Sequence, residues 1–166
     1  MNHQLRVWTP EDIPSLTFHI NNIWNNTRDG LPHPYTEEDA ENFIKMNMEH
    51  EGPAENFAID IDGKAVGGVG FVIGSDVERI SAEIGYWLGE QYWGRGIMTS
   101  AVQKAIKYAF ETLPVMRIYA GVFEYNIPSM KVLEKAGFKK EAILRKAVIK
   151  NGKILDFHYY ALLKEE

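Results

Sequence analysis

Residues 79–99 read RISAEIGYWLGEQYWGRGIMT, and the placing of the apolar residues along them decides the fold. From Arg79 to Leu88 the pattern has period two. Ala82, Ile84, Tyr86 and Leu88 share one face, and Glu83, Gly85 and Trp87 share the other, which predicts a strand with a lone carboxylate on its second face. After Gly96 the period changes: Ile97, Ala101, Val102, Ala105, Ile106, Ala109 and Phe110 follow a helical repeat, with Pro114 as its far limit. Between strand and helix lie Gly89, Gly94, Arg95 and Gly96. Glycines at such a junction let a backbone approach a ligand, and the unbonded amides of a helix N-terminus then face an anion. Two phosphate cradles can be tested here. A nucleotide P-loop needs Lys and then Ser or Thr where this chain has Arg95 and Gly96, which disfavours magnesium-nucleotide chemistry. The dinucleotide fingerprint fails at Thr99, which disfavours hydride transfer with NAD. An ordinary tight loop is the bland alternative for the glycines.

Working outward, Phe57–Ile61 and Ala65–Ile73 flank Asp62-Gly63 and predict an antiparallel hairpin. Upstream, a short strand over Leu5–Trp8 leads into Thr9, an N-cap residue, and Pro10, suited to the first position of a helix that runs to about Trp24. The segment Asn25–Tyr35 is dense in turn formers and reads as a long loop. Thr36 with Asp39 opens a second helix by a capping-box pattern. Downstream come a strand over Arg117–Phe123, a helix from about Pro128 to Ala136 stopped by Gly137, and two strands around Asn151-Gly152. The order is βααβββαβαββ: an α/β (or α+β) fold with a mixed, mostly antiparallel sheet, helices on both faces, and a single domain over residues 1–166.

Composition agrees with a folded chain. Apolar residues make up 45% of the 166 residues and charged ones 25%, and there is no cysteine, so disulfide, zinc-thiolate and thiol-nucleophile chemistry are excluded. The five histidines show no metal-ligand spacing, so no metal is assigned. No signal peptide or membrane-length apolar run is read, which predicts a cytoplasmic protein with no membrane partner. The net charge of −5 hides an asymmetry: residues 1–90 carry 5 Lys and Arg against 16 Asp and Glu, residues 91–166 carry 13 against 7. Such a division attracts an anionic ligand to the second part and a cationic one to the first. No basic and aromatic stripe is present, which excludes nucleic acid as the expected partner.

The run Ala82-Glu83-Ile84-Gly85-Tyr86-Trp87-Leu88, then Gln91-x-x-Gly94-x-Gly96, then Asn126-x-x-Ser129-x-Lys131-Val132-Leu133-Glu134-Lys135-Ala136-Gly137-Phe138 resembles the GNAT N-acetyltransferases. Within them it is most similar to the ribosomal-protein-alanine N-acetyltransferase branch. The resemblance implies acetyl-CoA as cosubstrate, in a cleft where the strand carrying Tyr86–Leu88 splays from that of Arg117–Phe123. It implies that the backbone amides of Gly94, Arg95, Gly96, Ile97, Met98 and Thr99 hold the pyrophosphate, with the Arg95, Lys131 and Lys135 side chains screening the remaining phosphate charge and Gln91 also binding the cofactor. Tyr86, Trp87 and Leu88 would meet the pantetheine arm, a main-chain N–H near Leu88 polarising the thioester carbonyl. Asn126 would hold the arm or thiol end, or cap the helix at Pro128. Glu83 is the expected base, its plain alternative being a strand carboxylate in a salt bridge. Ser129 is the expected acid or water organiser, or a mere hydrogen-bond partner. Two departures stand out. Leu133 occupies the place where many relatives carry a proton-donating tyrosine, and Val148 stands about where some ribosomal-protein acetylators carry a glutamate.

The expected reaction is direct transfer of an acetyl group to a primary amine, a protein N-terminal α-amine or a small-molecule amine. The long loop would shape the acceptor pocket with Trp24, His33 and Tyr35. A non-catalytic acyl-CoA-binding domain is the alternative function, favoured by Leu133 and opposed by Glu83. The last hairpin is the expected place for a homodimer contact, from its edge position.

Overall fold

The computed structural model describes residues 2–165, and its elements follow the expected order. They are β1 (Gln4–Arg6), α1 (Ile13–Asn22), α2 (Glu37–Met48), β2 (Asn56–Ile61), β3 (Lys64–Ile73), β4 (Ser81–Leu88), α3 (Ile97–Thr112), β5 (Arg117–Phe123), α4 (Ile127–Lys135), β6 (Lys139–Lys150) and β7 (Lys153–Leu163). The strands form a seven-stranded sheet in the order β1-β2-β3-β4-β5-β7-β6. The β4–β5 pair is parallel, and the β1–β2, β2–β3, β5–β7 and β6–β7 pairs are antiparallel. The chain divides into two units, Met1–Gly70 with Tyr86–Ala101, and Phe71–Gly85 with Val102–Glu166.

In the first unit, neighbouring residues of each strand go to opposite faces. Ala58, Ala65 and half-buried Trp87 join Leu16, Ile20 and Ile23 of the α1 region and Ala40 and Ile44 of α2 in one cluster. Ile59, Val66 and Leu88 join Ile97 and Ala101 of α3 in another. Helices therefore cover both faces, as the alternating and helical periods predict. The Asp62-Gly63 turn has φ +52° and +83°, the geometry that makes this pair a hairpin signal. Thr36 and Asp39 close the expected capping box: the Asp39 N–H donates to Thr36 Oγ1 at 3.1 Å and the Thr36 N–H to Asp39 Oδ2 at 2.9 Å.

Three boundaries differ from expectation, one of them the start of β4, which is Ser81 rather than Arg79 because a 3-10 turn over Asp76–Glu78 precedes it. The first strand is Gln4–Arg6, and Trp8 leaves it to enter the core, 3% exposed. Thr9 and Pro10 open a 3-10 turn, Pro10–Asp12, and α1 begins only at Ile13. Pro14 explains the delay, because its missing N–H is tolerated only in the first turn of an α-helix. Arg6 then ties this entry down. Its guanidinium donates to both oxygens of Asp12 at 2.8 Å and to Asp60 Oδ2 at 2.6 Å.

In the second unit, β5 sends Ile118, Ala120 and Val122 into the core, and β7 sends Tyr160 and Leu162. Leu133 of α4 is fully buried, and α4 ends in a Schellman motif: Phe138 N–H donates to Leu133 O at 3.0 Å and Gly137 N–H to Glu134 O at 3.1 Å. Gly137, at φ +99°, supplies the left-handed residue this motif needs. The Asn151-Gly152 turn joins β6 and β7 with φ +51° and +76°.

Candidate active site

The glycine junction lies in the first unit and is built by short-range bonds. Leu88 is buried, Gly89 N–H donates to Val66 O at 2.8 Å, and the Trp93 indole donates to Leu88 O at 2.8 Å. A 3-10 turn, Glu90–Tyr92, follows. Gly94 and Gly96 then take φ +72° and +75°, a conformation glycine adopts at no steric cost, and a Cβ at either would meet nothing within 4 Å. The first main-chain bond of α3 runs from Ser100 N–H to Gly96 O at 3.2 Å. The amides of Ile97, Met98 and Thr99 therefore precede the first helical donor, at the positive end of a 16-residue helix. Exposed Gln91 and Arg95 flank this nest of amides, and the Arg95 guanidinium lies 6.0 Å from the Tyr92 ring. Such a junction can hold an anion.

The same unit places a residue that sequence reading passed over. His19, 7% exposed, has its ring among Trp87, Tyr92 and Phe18, at centroid distances of 6.4, 6.2 and 5.2 Å. A Cβ on Gly89 would stand 2.5 Å from His19 Nδ1, so glycine there is required by the imidazole. Burial holds His19 below its ordinary pKa and therefore neutral near pH 7. Trp24 and exposed His33 stack at 4.4 Å and 14°. Tyr35 is 6% exposed and belongs to the core cluster. Its main chain is clamped by the Asn21 amide at 2.8 Å on both sides, and burial, then Asp39, push its phenol up to about 12.

The second unit holds the remaining expected residues. Glu83 is half-buried on β4, in parallel register with Tyr119 of β5. The β4–β5 register covers Ser81–Glu83 against Arg117–Tyr119, although β4 runs to Leu88 and β5 to Phe123. Asn126 realises its capping alternative: its Oδ1 accepts from Ser129 N–H at 3.3 Å, with Pro128 in the first turn. Ser129 is half-buried, and Lys131 and Lys135 are exposed on α4. Leu133 is sealed in the core and has no proton to give. Tyr160 is also sealed; it donates to Glu134 Oε1 at 3.2 Å, and burial, then Glu134, push its phenol up to about 12. Among the described residues no cluster of His, Asp or Glu could hold a metal ion, and no helix is long and apolar enough to cross a membrane.

Residues 3–139 match the family described as acetyltransferase (GNAT) domain. The chain belongs to the GNAT acetyltransferase family. It is 38% identical over 138 residues to the uncharacterized N-acetyltransferase p20 of Bacillus licheniformis, a match covering 80% of this chain and 77% of that protein. The crystal structure of a GNAT-family acetyltransferase from Bacillus anthracis superposes with a TM-score of 0.83 at 27% identity, covering 100% of this chain and 97% of that one. The microcin C7 self-immunity acetyltransferase MccE, solved in complex with acetyl-CoA and AMP, is similar at a TM-score of 0.82 and 27% identity, with 97% and 92% covered. This GNAT chain is thus an acetyl-CoA-dependent N-acetyltransferase, with the mixed, mostly antiparallel sheet of that family.

Proposed function

We propose that residues 1–166 act as one acetyltransferase domain that moves the acetyl group of acetyl-CoA directly to a primary amine, an α-amine in preference to a lysine. The observation that carries the proposal is the Gly94-Arg95-Gly96 junction, where two left-handed glycines set the amides ahead of Ser100 at the N-terminus of α3. These amides bind the pyrophosphate, and Arg95, Lys131 and Lys135 screen its charge. The main chain of Tyr86, Trp87 and Leu88 holds the pantetheine arm, and an N–H near Leu88 polarises the thioester carbonyl. Asn126 contacts the arm while capping α4, since its side-chain nitrogen is not used by the cap.

Glu83 takes the proton from the attacking amine, whose nitrogen forms the new bond to the carbonyl carbon. The tetrahedral intermediate collapses, the carbon–sulfur bond breaks, and the thiolate leaves. Ser129 orders the water or hydroxyl that returns a proton to sulfur, a role Leu133 cannot take. An α-amine, with pKa near ~8, is partly unprotonated at pH 7 where a lysine near ~10.4 is not, so one carboxylate suffices. Trp24 and His33, whose rings stack, line the acceptor entrance together with Tyr35, whose side chain is buried in the core cluster.

Calorimetric titration with acetyl-CoA, beside ATP and NAD at two salt concentrations, tests the cradle. The expected result is salt-sensitive binding of acetyl-CoA alone. Thiol release with amino-acid amides and N-terminal peptides then tests transfer. No binding of acetyl-CoA would overturn the assignment of the junction.

A further inference from the structure

The second unit carries a row of aromatic rings that the reading above does not use. In the β5–β7 ladder Gly121 faces Tyr159 and Phe123 faces Phe157. Residues two apart share a face, so Tyr119, Gly121 and Phe123 of β5 and Phe157 and Tyr159 of β7 lie opposite the buried face of Ile118, Ala120, Val122 and Tyr160. All four rings are half-buried. Tyr119 stacks on Tyr159 at 5.6 Å and 23°, Tyr159 meets Phe157 edge-on at 6.0 Å and 61°, and Phe157 meets Phe123 at 5.9 Å and 48°. Gly121 makes the row continuous. A Cβ there would lie 1.9 Å from Phe157 Cε2, so the Phe157 ring occupies the space a side chain would take.

One end of the row is charged in two ways. Residues in parallel register share a face, which puts Glu83 beside Tyr119. Burial first, and then the Glu83 charge, raise the Tyr119 phenol above its ordinary pKa. Arg117 lies 5.9 Å from the Tyr119 ring centroid and is held there by Glu141, with both guanidinium nitrogens bonded at 2.6 and 3.0 Å.

Resting on the reading of Glu83 as base, we propose that this row is the acceptor floor, selecting amines that carry one ammonium group next to an aromatic ring. Charge and ring geometry both argue for that occupant. The ammonium is drawn to Glu83. Tyr119 and Tyr159 stack, and Phe157 and Phe123 continue the row at steeper angles, so the floor is a run of ring-to-ring contacts that an aromatic guest can extend. A ring on the guest adds one more contact of this kind, whereas a polyamine has no ring to add, and Glu141, the carboxylate beside Arg117, is already bonded to its guanidinium. A polyamine is therefore a poor occupant, and a bare amine gains nothing from the floor.

The test compares L-phenylalaninamide, glycinamide and spermidine as acceptors by thiol release at saturating acetyl-CoA, with saturation-transfer NMR reading phenylalaninamide binding directly. The two amides have α-amines of like basicity, so their ratio reports the ring. The expected kcat/KM is at least about tenfold higher for phenylalaninamide than for glycinamide, with spermidine lowest. Tyr159→Leu removes one ring, and Gly121→Ala displaces Phe157 without removing it; each brings the ratio toward one. If one variant fails to fold, the other carries the comparison. A spermidine preference, or a ratio that neither variant changes, overturns the proposal. Binding of phenylalaninamide without turnover, lost in Tyr159→Leu, supports the floor and sinks the reading of Glu83 as base. Neither binding nor turnover overturns the floor.

Discussion

Replacing Gly94 and Gly96 by alanine, singly and together, separates a ligand-holding junction from an ordinary loop. A Cβ at either position meets open space, so no clash enters the argument and only the backbone does. At φ +72° and +75° an alanine costs roughly 1–2 kcal/mol against its preferred conformations. Loss of glycine's freedom in the unfolded chain returns about 0.4–1 kcal/mol. The net destabilisation is about 1 kcal/mol per site, a fall in Tm of roughly 2–4 °C for a chain of this size. Binding is more sensitive. If the loop rotates to relieve the strain, one or two amides no longer point at the pyrophosphate, and each hydrogen bond to a charged group contributes about 1.5–3 kcal/mol. Acetyl-CoA affinity is then expected to fall by about tenfold for a single variant and a hundredfold or more for the double variant. Calorimetry with acetyl-CoA and differential scanning calorimetry on the same samples read both quantities. A double variant that loses stability but binds acetyl-CoA as before would show that the junction is a tight turn and nothing more.

Glu83→Gln is expected to lower kcat by about 10²–10⁴-fold at saturating acetyl-CoA while calorimetric acetyl-CoA affinity stays within twofold, the range for loss of a general base; unchanged kcat would remove Glu83 from the mechanism. Arg6→Leu strands the Asp12 and Asp60 carboxylates, each with only 6% of its side chain exposed, and is expected to cost about 3–5 kcal/mol in urea unfolding; a loss under 1 kcal/mol would show that the triad is already solvated. Burial alone would raise Asp12, but bonds from Arg6 and Thr9 outweigh it and hold its folded pKa below the ordinary value. Asp12 therefore binds a proton more readily unfolded than folded. Its contribution is complete above the unfolded pKa and is lost as pH falls through the folded one, so the stability difference between wild type and Asp12→Asn should shrink in that acid window and stay flat above pH 5. Asn126→Ala removes the cap of α4 and should cost about 1 kcal/mol in thermal unfolding, with a several-fold weaker acetyl-CoA affinity if the side chain also contacts the arm.

The parts of the fold that could be read from the residues were those where local chemistry and tertiary packing ask for the same thing. Asp62-Gly63 and Asn151-Gly152 require left-handed backbone, and they take it. Thr36 with Asp39, and Gly137 after α4, cap helices by bonds that span only a few residues. The start of α1 was not legible because Thr9 and Pro10 are as good an opening for a 3-10 turn as for an α-helix, and only Pro14 decides which. The glycine junction was legible for the same local reason as the turns. His19 was not. Its meaning lies in Gly89, seventy residues away, whose missing side chain makes room for the imidazole. The aromatic row falls between these cases: Tyr119, Phe123, Phe157 and Tyr159 show period two within each strand, but only the β5–β7 register brings them together.

The alternation along β4 gives one strand two tasks. Of its even-numbered residues, Ala82, Ile84 and Leu88 are buried at 6% exposure or less and fix the strand in the core, while Tyr86 is half-buried. Its odd-numbered residues stay partly open: Glu83 beside Tyr119, then exposed Gly85, then Trp87 against the α1 and α2 cluster. Glu83 on that half-buried face suits a cationic visitor, and residues 1–90, with 5 Lys and Arg against 16 Asp and Glu, are acidic as a whole. The cosubstrate is a polyanion, and residues 91–166, with 13 Lys and Arg against 7 Asp and Glu, carry the charge that would draw it. The two substrates of an acetyl transfer to an amine have opposite charge, so a chain that separates its own charges attracts each to a different stretch. Raising ionic strength should therefore weaken both KM values, whereas a site that relied on shape alone would leave them unchanged.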